Sequence, residues 1–150
     1  MMGKTPIAEV CRRNVAIKAA FVENDELDAG VRGLLNFGHT VGHAIELLSD
    51  YGVPHGNAVA IGMTVITRAA EKGGLTESPC LGELRAALRR QGLPDECPFS
   101  APELAAAAMR DKKRSGDSIA LVVPVEVGRA RFHEIPVSRL EAFIASGLEE

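Results

Sequence analysis

The stretch Leu34-Leu35-Asn36-Phe37-Gly38-His39-Thr40-Val41-Gly42-His43-Ala44-Ile45-Glu46, followed shortly by Pro54-His55-Gly56, decides how this chain is read. Three of the four histidines fall between positions 39 and 55. His39 and His43 are four apart, so a helix projects them from one face about one turn from each other. His55 follows a loop punctuated by Gly52 and Pro54, which is able to fold back over that face. Neutral imidazole is the commonest metal ligand, and a catalytic zinc site takes three protein ligands and keeps a fourth position open. Two readings stay open on the residues alone: histidines packed or hydrogen-bonded on a core helix, or a metal site. His55, as a loop histidine between Pro and Gly, favours the metal. The Glu of H-E-x-x-H is missing, so a metalloprotease helix finds no support. Glu46 lies seven residues past His39, nearly two turns away, and is expected to be too far to serve the site.

Outward from this stretch, Val41, Ala44, Ile45 and Leu48 follow the i, i+3, i+4, i+7 pattern of a buried helical face, from a start between Gly33 and Gly38 to about Leu48. Gly38 and Gly42 bracket His39, and a helical glycine costs about 1 kcal/mol relative to alanine. Their presence predicts that something approaches the backbone closely there. After the loop Ser49–Gly56, the run Asn57 to Lys72 is apolar nearly all round and reads as a central helix ended by Gly73-Gly74.

The composition sets bounds. With 150 residues, 46% hydrophobic and 25% charged, the chain reads as one domain spanning 1–150, able to bury a core without disulfides. Aromatics at 4% and no tryptophan leave an aliphatic, Ala-rich core, which favours helices. A net charge of -3 gives no nucleic-acid footprint, and the short run Arg110–Arg114 does not change that. Cys11, Cys80 and Cys97 show no C-x-x-C pairing; Cys11 is expected to pack as a small apolar residue in a helix. No signal peptide and no apolar run of about 20 residues stand out, so a reduced, cytoplasmic protein with no membrane span is expected.

The flanks fill in. Thr5-Pro6 reads as N-cap and first turn of a helix to about Val22, with Val10, Ile17 and Phe21 at helical spacing and Lys18 within it. Asn24–Gly30 is a polar acidic loop. Ser78-Pro79 opens a helix with Leu81, Leu84 and Leu88 inward, closed by Gly92-Leu93-Pro94. Ser100–Glu103 is a capping box that starts a further helix. Ile119–Val125 is a strand, with Arg129–Ile135 as its hairpin partner around Glu126–Gly128. Ser138–Glu141 is a second capping box for a last helix that ends near Gly147. The fold class is therefore mainly α with one small β-hairpin. No Gly-rich phosphate loop is present.

Arg32–Glu46, then Pro54-His55-Gly56 and Gly62-Met63, resemble the C-terminal domain of the 3-dehydroquinate synthase family. Ile17-Lys18, the acidic loop and Arg110–Lys113 before a strand match in order and spacing, so the resemblance covers essentially the whole chain. It implies the helical C-terminal half of a two-domain lyase whose other half holds NAD. Such enzymes convert the sugar-acid phosphate DAHP to 3-dehydroquinate and phosphate, in the shikimate pathway of aromatic amino acid biosynthesis. It further implies a zinc or cobalt ion held by one glutamate and two histidines. His39 and His55 resemble the ligands, and His43 a histidine that contacts substrate. Lys18, Arg32, Asn36 and one of Lys112 and Lys113 resemble the groups that bind the substrate's phosphate, carboxylate and hydroxyls. Lys18 and His43 thus stand as the catalytic candidates.

Those residue types suit the chemistry, since a phosphate dianion plus a carboxylate needs several fixed cations. The chain departs from the family in carrying neither the nucleotide domain nor the A-E-V-x-x-K stretch with the metal glutamate. Ala8-Glu9-Val10 lies too near Lys18 to be that stretch, so Glu9 reads as a surface carboxylate. The expectation is half an active site, inactive alone or complemented by a separate N-terminal NAD-binding chain, with a homo-oligomer open. Two other readings are the same half of an aminodehydroquinate or 2-deoxy-scyllo-inosose synthase, against which Asn36 argues, and a non-catalytic binding protein derived from the domain.

Overall fold

The computed structural model describes residues 6–25, 30–111 and 117–149, without the side chains of residues 24 and 111. Its contacts divide the chain into two compact units, Met1–Leu35 and Asn36–Glu150.

In the first unit, helix α1 (Ile7–Asn24) is followed by a 3₁₀ turn that begins at Val31. The expected N-cap Thr5 and the acidic residues 26–29 lie outside the described residues; Pro6 occupies the N-cap position, one place earlier than its expected first-turn role. Proline suits that place because its φ of -56° leads into the helix and no backbone N–H is lost there. Glu9 pairs with Arg12 and Arg13 on the same helix, as a surface carboxylate should. Asp25 Oδ2 accepts from the backbone N–H groups of Gly30 (2.7 Å) and Arg32 (3.0 Å). The helical spacing of Val10, Ile17 and Phe21 does not translate into burial. Ile7, Val15 and Ile17 are 76%, 68% and 56% exposed, and Cys11 is exposed rather than packed. Periodicity reports a face that can be covered, not that this chain covers it.

The second unit holds α2 (His39–Leu48), α3 (His55–Lys72), α4 (Leu81–Arg90), α5 (Ala101–Asp111), strands β1 (Ser118–Glu126) and β2 (Arg129–Pro136), and α6 (Val137–Leu148). α3 is central: α2, α4 and α6 pack on it, α5 packs on α2 and α6, and the hairpin leans on α3 and α6. Val41, Ile45, Ile66, Leu104, Leu121, Val123, Leu140 and Ile144 form a core with 2% exposure or less. Truncating such a side chain to alanine costs about 2–5 kcal/mol. Thr64 and Thr67 are the buried polar residues among those described, and both hydroxyls donate to carbonyls one turn back, Ala60 and Met63.

The glycines explain how α2 and α3 come so close. A Cβ on Gly38 would lie 2.7 Å from the Met63 nitrogen, and one on Gly62 would lie 2.1 Å from the Gly38 oxygen. The close approach expected at Gly38 and Gly42 is therefore made by α3. Gly38 also adopts a φ of 80° at the N-cap of α2, which a side chain would resist.

The antiparallel hairpin pairs Ile119 with Ile135 and Val123 with Arg131, with a bulge between Pro124 and Glu126 and Gly128 at φ 88° in the turn. Half of the Ser100 capping box forms: Glu103 accepts from the backbone N–H of Ser100, and the Ser100 hydroxyl donates to the same carboxylate rather than accepting from the Glu103 N–H. The second expected box does not form. α6 starts at Val137 with Pro136 as N-cap and no side-chain cap bond, because the strand runs directly into the helix and the Val137 N–H donates to the Asp117 carbonyl. α4 is capped from a distance instead: Glu71 Oε1 accepts from the N–H groups of Cys80 and Leu81, both at 2.7 Å. Among the described residues, no helix is long and apolar enough to cross a membrane.

Candidate metal centre

α2 carries His39 at its first position and His43 one turn on, both on the edge away from Val41 and Ile45. The helix ends in a turn in which Asp50 and Tyr51 take φ values of 51° and 59°. Left-handed backbone at non-glycine residues is uncommon and is stored where surrounding bonds enforce it. Here the Tyr51 N–H donates to the Glu46 carbonyl at 2.7 Å, and the Val53 N–H donates to Ser49 Oγ. This turn reverses the chain, and Pro54, at φ -57°, starts α3. His55 is therefore the first residue of a helix, not the swinging loop histidine expected from Pro54 and Gly56. Proline's locked φ is already helical, so the helix begins two residues earlier than the apolar run implied.

The reversal gathers three imidazoles. Ring centroids are 5.5 Å apart for His39 and His43, 5.3 Å for His39 and His55, and 6.0 Å for His43 and His55. His43 and His55 are exposed and His39 half-buried. Burial, reinforced by the neighbouring imidazoles, holds the His39 pKa below the ordinary histidine value, against the opposing effect of the Phe37 carbonyl. The neutral form that binds a metal is thus the favoured one.

The expectation that Glu46 is too far is wrong. Both of its carboxylate oxygens lie 3.1 Å from Nδ1 of His55. Counting turns along α2 measured only the distance to His39, and the reversed chain brings His55 to Glu46 from the other side.

Hydrogen bonds settle which ring nitrogens face outward. The Phe37 carbonyl, 3.2 Å from His39 Nδ1, can only accept, so that nitrogen is the donor and Nε2 keeps its lone pair. An ionised Glu46 does the same for His55. A carbonyl or carboxylate behind a ligand imidazole is the usual support of a metal-binding histidine. Two donor sets then compete. Ligand atoms of His43, Glu46 and His55 lie within 4.8 Å of one another, a set that omits His39. That set would put Glu46 and His55 on one ion in place of their hydrogen bond, whereas a pair of His39 and His55 would use the ring nitrogens opposite their Nδ1 acceptors. Imidazole nitrogens with an oxygen donor fit a borderline cation such as zinc or cobalt, both of which accept mixed nitrogen and oxygen ligands.

Of the other expected site residues, Asn36 lies in the second unit, exposed, with its backbone engaging His39. Lys18 is exposed and Arg32 half-buried in the first unit. Lys112 and Lys113 lie outside the described residues. Glu46 is the residue that sequence reasoning missed; its signal was a carboxylate in the last turn of a helix, the end where the helix dipole disfavours it.

Residues 2–114 match a family model described as 3-dehydroquinate synthase C-terminal. The chain is 46% identical over 130 residues to a 3-dehydroquinate synthase of Streptococcus suis, covering 85% of this chain and 37% of the relative. It is 41% identical over 140 residues to the Lactococcus lactis enzyme of the same name, covering 92% and 39%. It therefore spans little more than a third of the length of these relatives. Among solved structures, a 2-deoxy-scyllo-inosose synthase superposes with a TM-score of 0.73 at 20% identity, over 89% of this chain and 39% of that one. Another structure of an enzyme of that name, complexed with carbaglucose-6-phosphate, NAD+ and Co2+, gives 0.67 at 22% over 81% and 36%. At such identities these two show a shared fold.

Proposed function

Since the chain belongs to the 3-dehydroquinate synthase family, whose C-terminal model it matches, we propose that it forms the metal- and substrate-holding part of a sugar-phosphate cyclase. The reaction proposed is conversion of DAHP to 3-dehydroquinate with release of phosphate, the shikimate-pathway step. The observation that carries the reading is the pair of imidazoles, His39 and His55, whose Nδ1 atoms are both occupied by acceptors while their rings stand 5.3 Å apart.

In this reading His39 and His55 hold a zinc or cobalt ion through Nε2. A carboxylate from outside these residues would be the third ligand, and the NAD+ site would likewise lie outside them, in a preceding segment or a separate chain. A cation held there would supply Lewis-acid polarisation of a substrate hydroxyl, and NAD+ would supply reversible hydride acceptance. The remaining work falls to side chains of this chain. His43, exposed beside the ligand pair, is the side chain that would contact the substrate, and an imidazole is a group suited to proton transfer. Lys18, Arg32, Asn36 and Lys112 or Lys113 bind the phosphate, carboxylate and hydroxyls; this assignment rests on their sequence positions in the family pattern. A guanidinium offers a two-pronged grip on phosphate or carboxylate, and a lysine a point charge.

The test is a titration of Co2+ into the purified chain, followed by phosphate release from DAHP after addition of the separately expressed NAD-binding part of a relative. Binding that His39→Ala and His55→Ala both weaken, with turnover only in the mixture, is expected. Co2+ binding unaffected by either substitution would overturn the metal reading, and turnover of DAHP by the chain alone would overturn the split of the site. The fold shared with 2-deoxy-scyllo-inosose synthase makes that substrate class the second reading, and offering both substrates to the mixture separates the two. The exposed apolar residues of α1 favour a third, a non-catalytic binding protein, which predicts no turnover in any mixture.

A further inference from the structure

We infer that Glu46 is a positioning residue for His55: its carboxylate fixes the Nδ1–H tautomer and the ring orientation that present Nε2 to the cation. The inference rests on the metal reading above and adds a residue to it.

Three observations carry it. Both oxygens of Glu46 are equidistant from His55 Nδ1, at 3.1 Å, as for a carboxylate cupping one N–H. The Glu46 side chain is 16% exposed while that of His55 is 56% exposed, so the fixed partner of the pair is the carboxylate and the ring is what it holds. Glu46 also sits in the last turn of α2, which has no basic residue to balance it. A negative charge there opposes the helix dipole, so helix stability gives no reason for a carboxylate at this position. The contact to His55 gives one, because it ties the end of α2 to the first residue of α3 across the strained link at Asp50 and Tyr51.

Service as a ligand is the competing role. In imidazole the lone-pair directions of Nδ1 and Nε2 diverge across the ring. An ion on Nε2 of His55 therefore stands on the side away from a carboxylate that holds Nδ1. Glu46 can orient His55 or bind beside it, and the hydrogen-bonded geometry is the orienting one.

The experiment reads the tautomer first, without metal. Imidazole nitrogen–proton NMR of the chain at a pH of about 8, where histidine is neutral, is expected to show Nδ1–H for His55. Glu46→Ala should shift His55 toward Nε2–H, while Glu46→Gln, which keeps a carbonyl acceptor, should retain Nδ1–H. Co2+ titration should then show roughly 10–100-fold weaker binding for Glu46→Ala, with affinity close to that of the unaltered chain and an unmoved visible Co2+ spectrum for Glu46→Gln. Nε2–H in the unaltered chain, or Glu46→Ala binding Co2+ as tightly as the unaltered chain, would overturn the role. A Glu46→Gln variant that fails like Glu46→Ala with an altered Co2+ spectrum would make Glu46 a ligand instead. If the chain mixed with the separately expressed NAD-binding part binds no Co2+, the metal reading fails, and the tautomer measurement still decides whether Glu46 sets the ring.

Discussion

Adding one methyl group at Gly62 tests the α2–α3 contact on which the site depends. A Cβ there would stand 2.1 Å from the Gly38 oxygen and 2.9 Å from the Gly42 nitrogen, whereas real Cβ contacts below 3.0 Å are essentially never seen. The Gly38 carbonyl would have to retreat by about 0.9 Å, the difference between 3.0 and 2.1 Å. The obstacle is backbone on a packed helix, so no side chain can swing aside. Overpacking costs about 1–3 kcal/mol and sometimes more, and alanine returns about 1 kcal/mol of helix propensity. With rigid backbone in the way the upper end applies, and Gly62→Ala should lose about 2 kcal/mol net, or about 4–8 °C in Tm for a chain of this size. The carbonyl that moves belongs to the residue before His39, so Co2+ affinity should fall as well. Gly82→Ala is the control: its Cβ meets nothing within 4 Å on α4, and it should raise Tm by about 2–4 °C. Thermal unfolding by circular dichroism reads both. A Gly62→Ala chain that melts at or above the parent would refute the glycine-mediated contact.

Three more outcomes are expected. Glu71→Ala removes the acceptor shared by the Cys80 and Leu81 N–H groups and should cost about 1–2 kcal/mol in urea unfolding, in the range of a lost helix cap. The Asp95 carboxyl is held below the ordinary carboxylate range, first by its hydrogen bond from Arg85 and further by Arg89. Its contribution is present above the ordinary aspartate pKa and is lost as pH falls through the lowered folded value, so Asp95→Asn should flatten the acid limb of stability against pH. Burial, and then Arg131, lowers the pKa of His133. The folded state resists its protonation, so stability should decline as pH drops below the ordinary histidine value of 6.5, and His133→Gln should reduce that decline in melts taken between pH values of about 7 and 5.

Much of this protein follows from local pattern. The apolar period of Val41, Ala44, Ile45 and Leu48 and the Ser100–Glu103 pairing are short-range properties that appear where the pattern puts them, while Arg129–Ile135 forms the expected strand without its full alternation, since Phe132 is 42% exposed. His39 and His43 share a face because helix geometry alone requires it. Gly38 and Gly42 announced a close approach, though not by what. Ser138 misled, since a capping sequence does not form its cap when a strand feeds straight into the helix. Composition and spacing therefore determined the element types, the histidine face and the need for room beside it. Tertiary structure alone decided where the chain after Leu48 goes, because that direction depends on the left-handed pair Asp50 and Tyr51 and on α3 seating against the glycines of α2. That one reversal makes His55 a helix-start residue and puts Glu46 behind its ring, and contacts between residues nine apart across a turn cannot be read from helical periodicity.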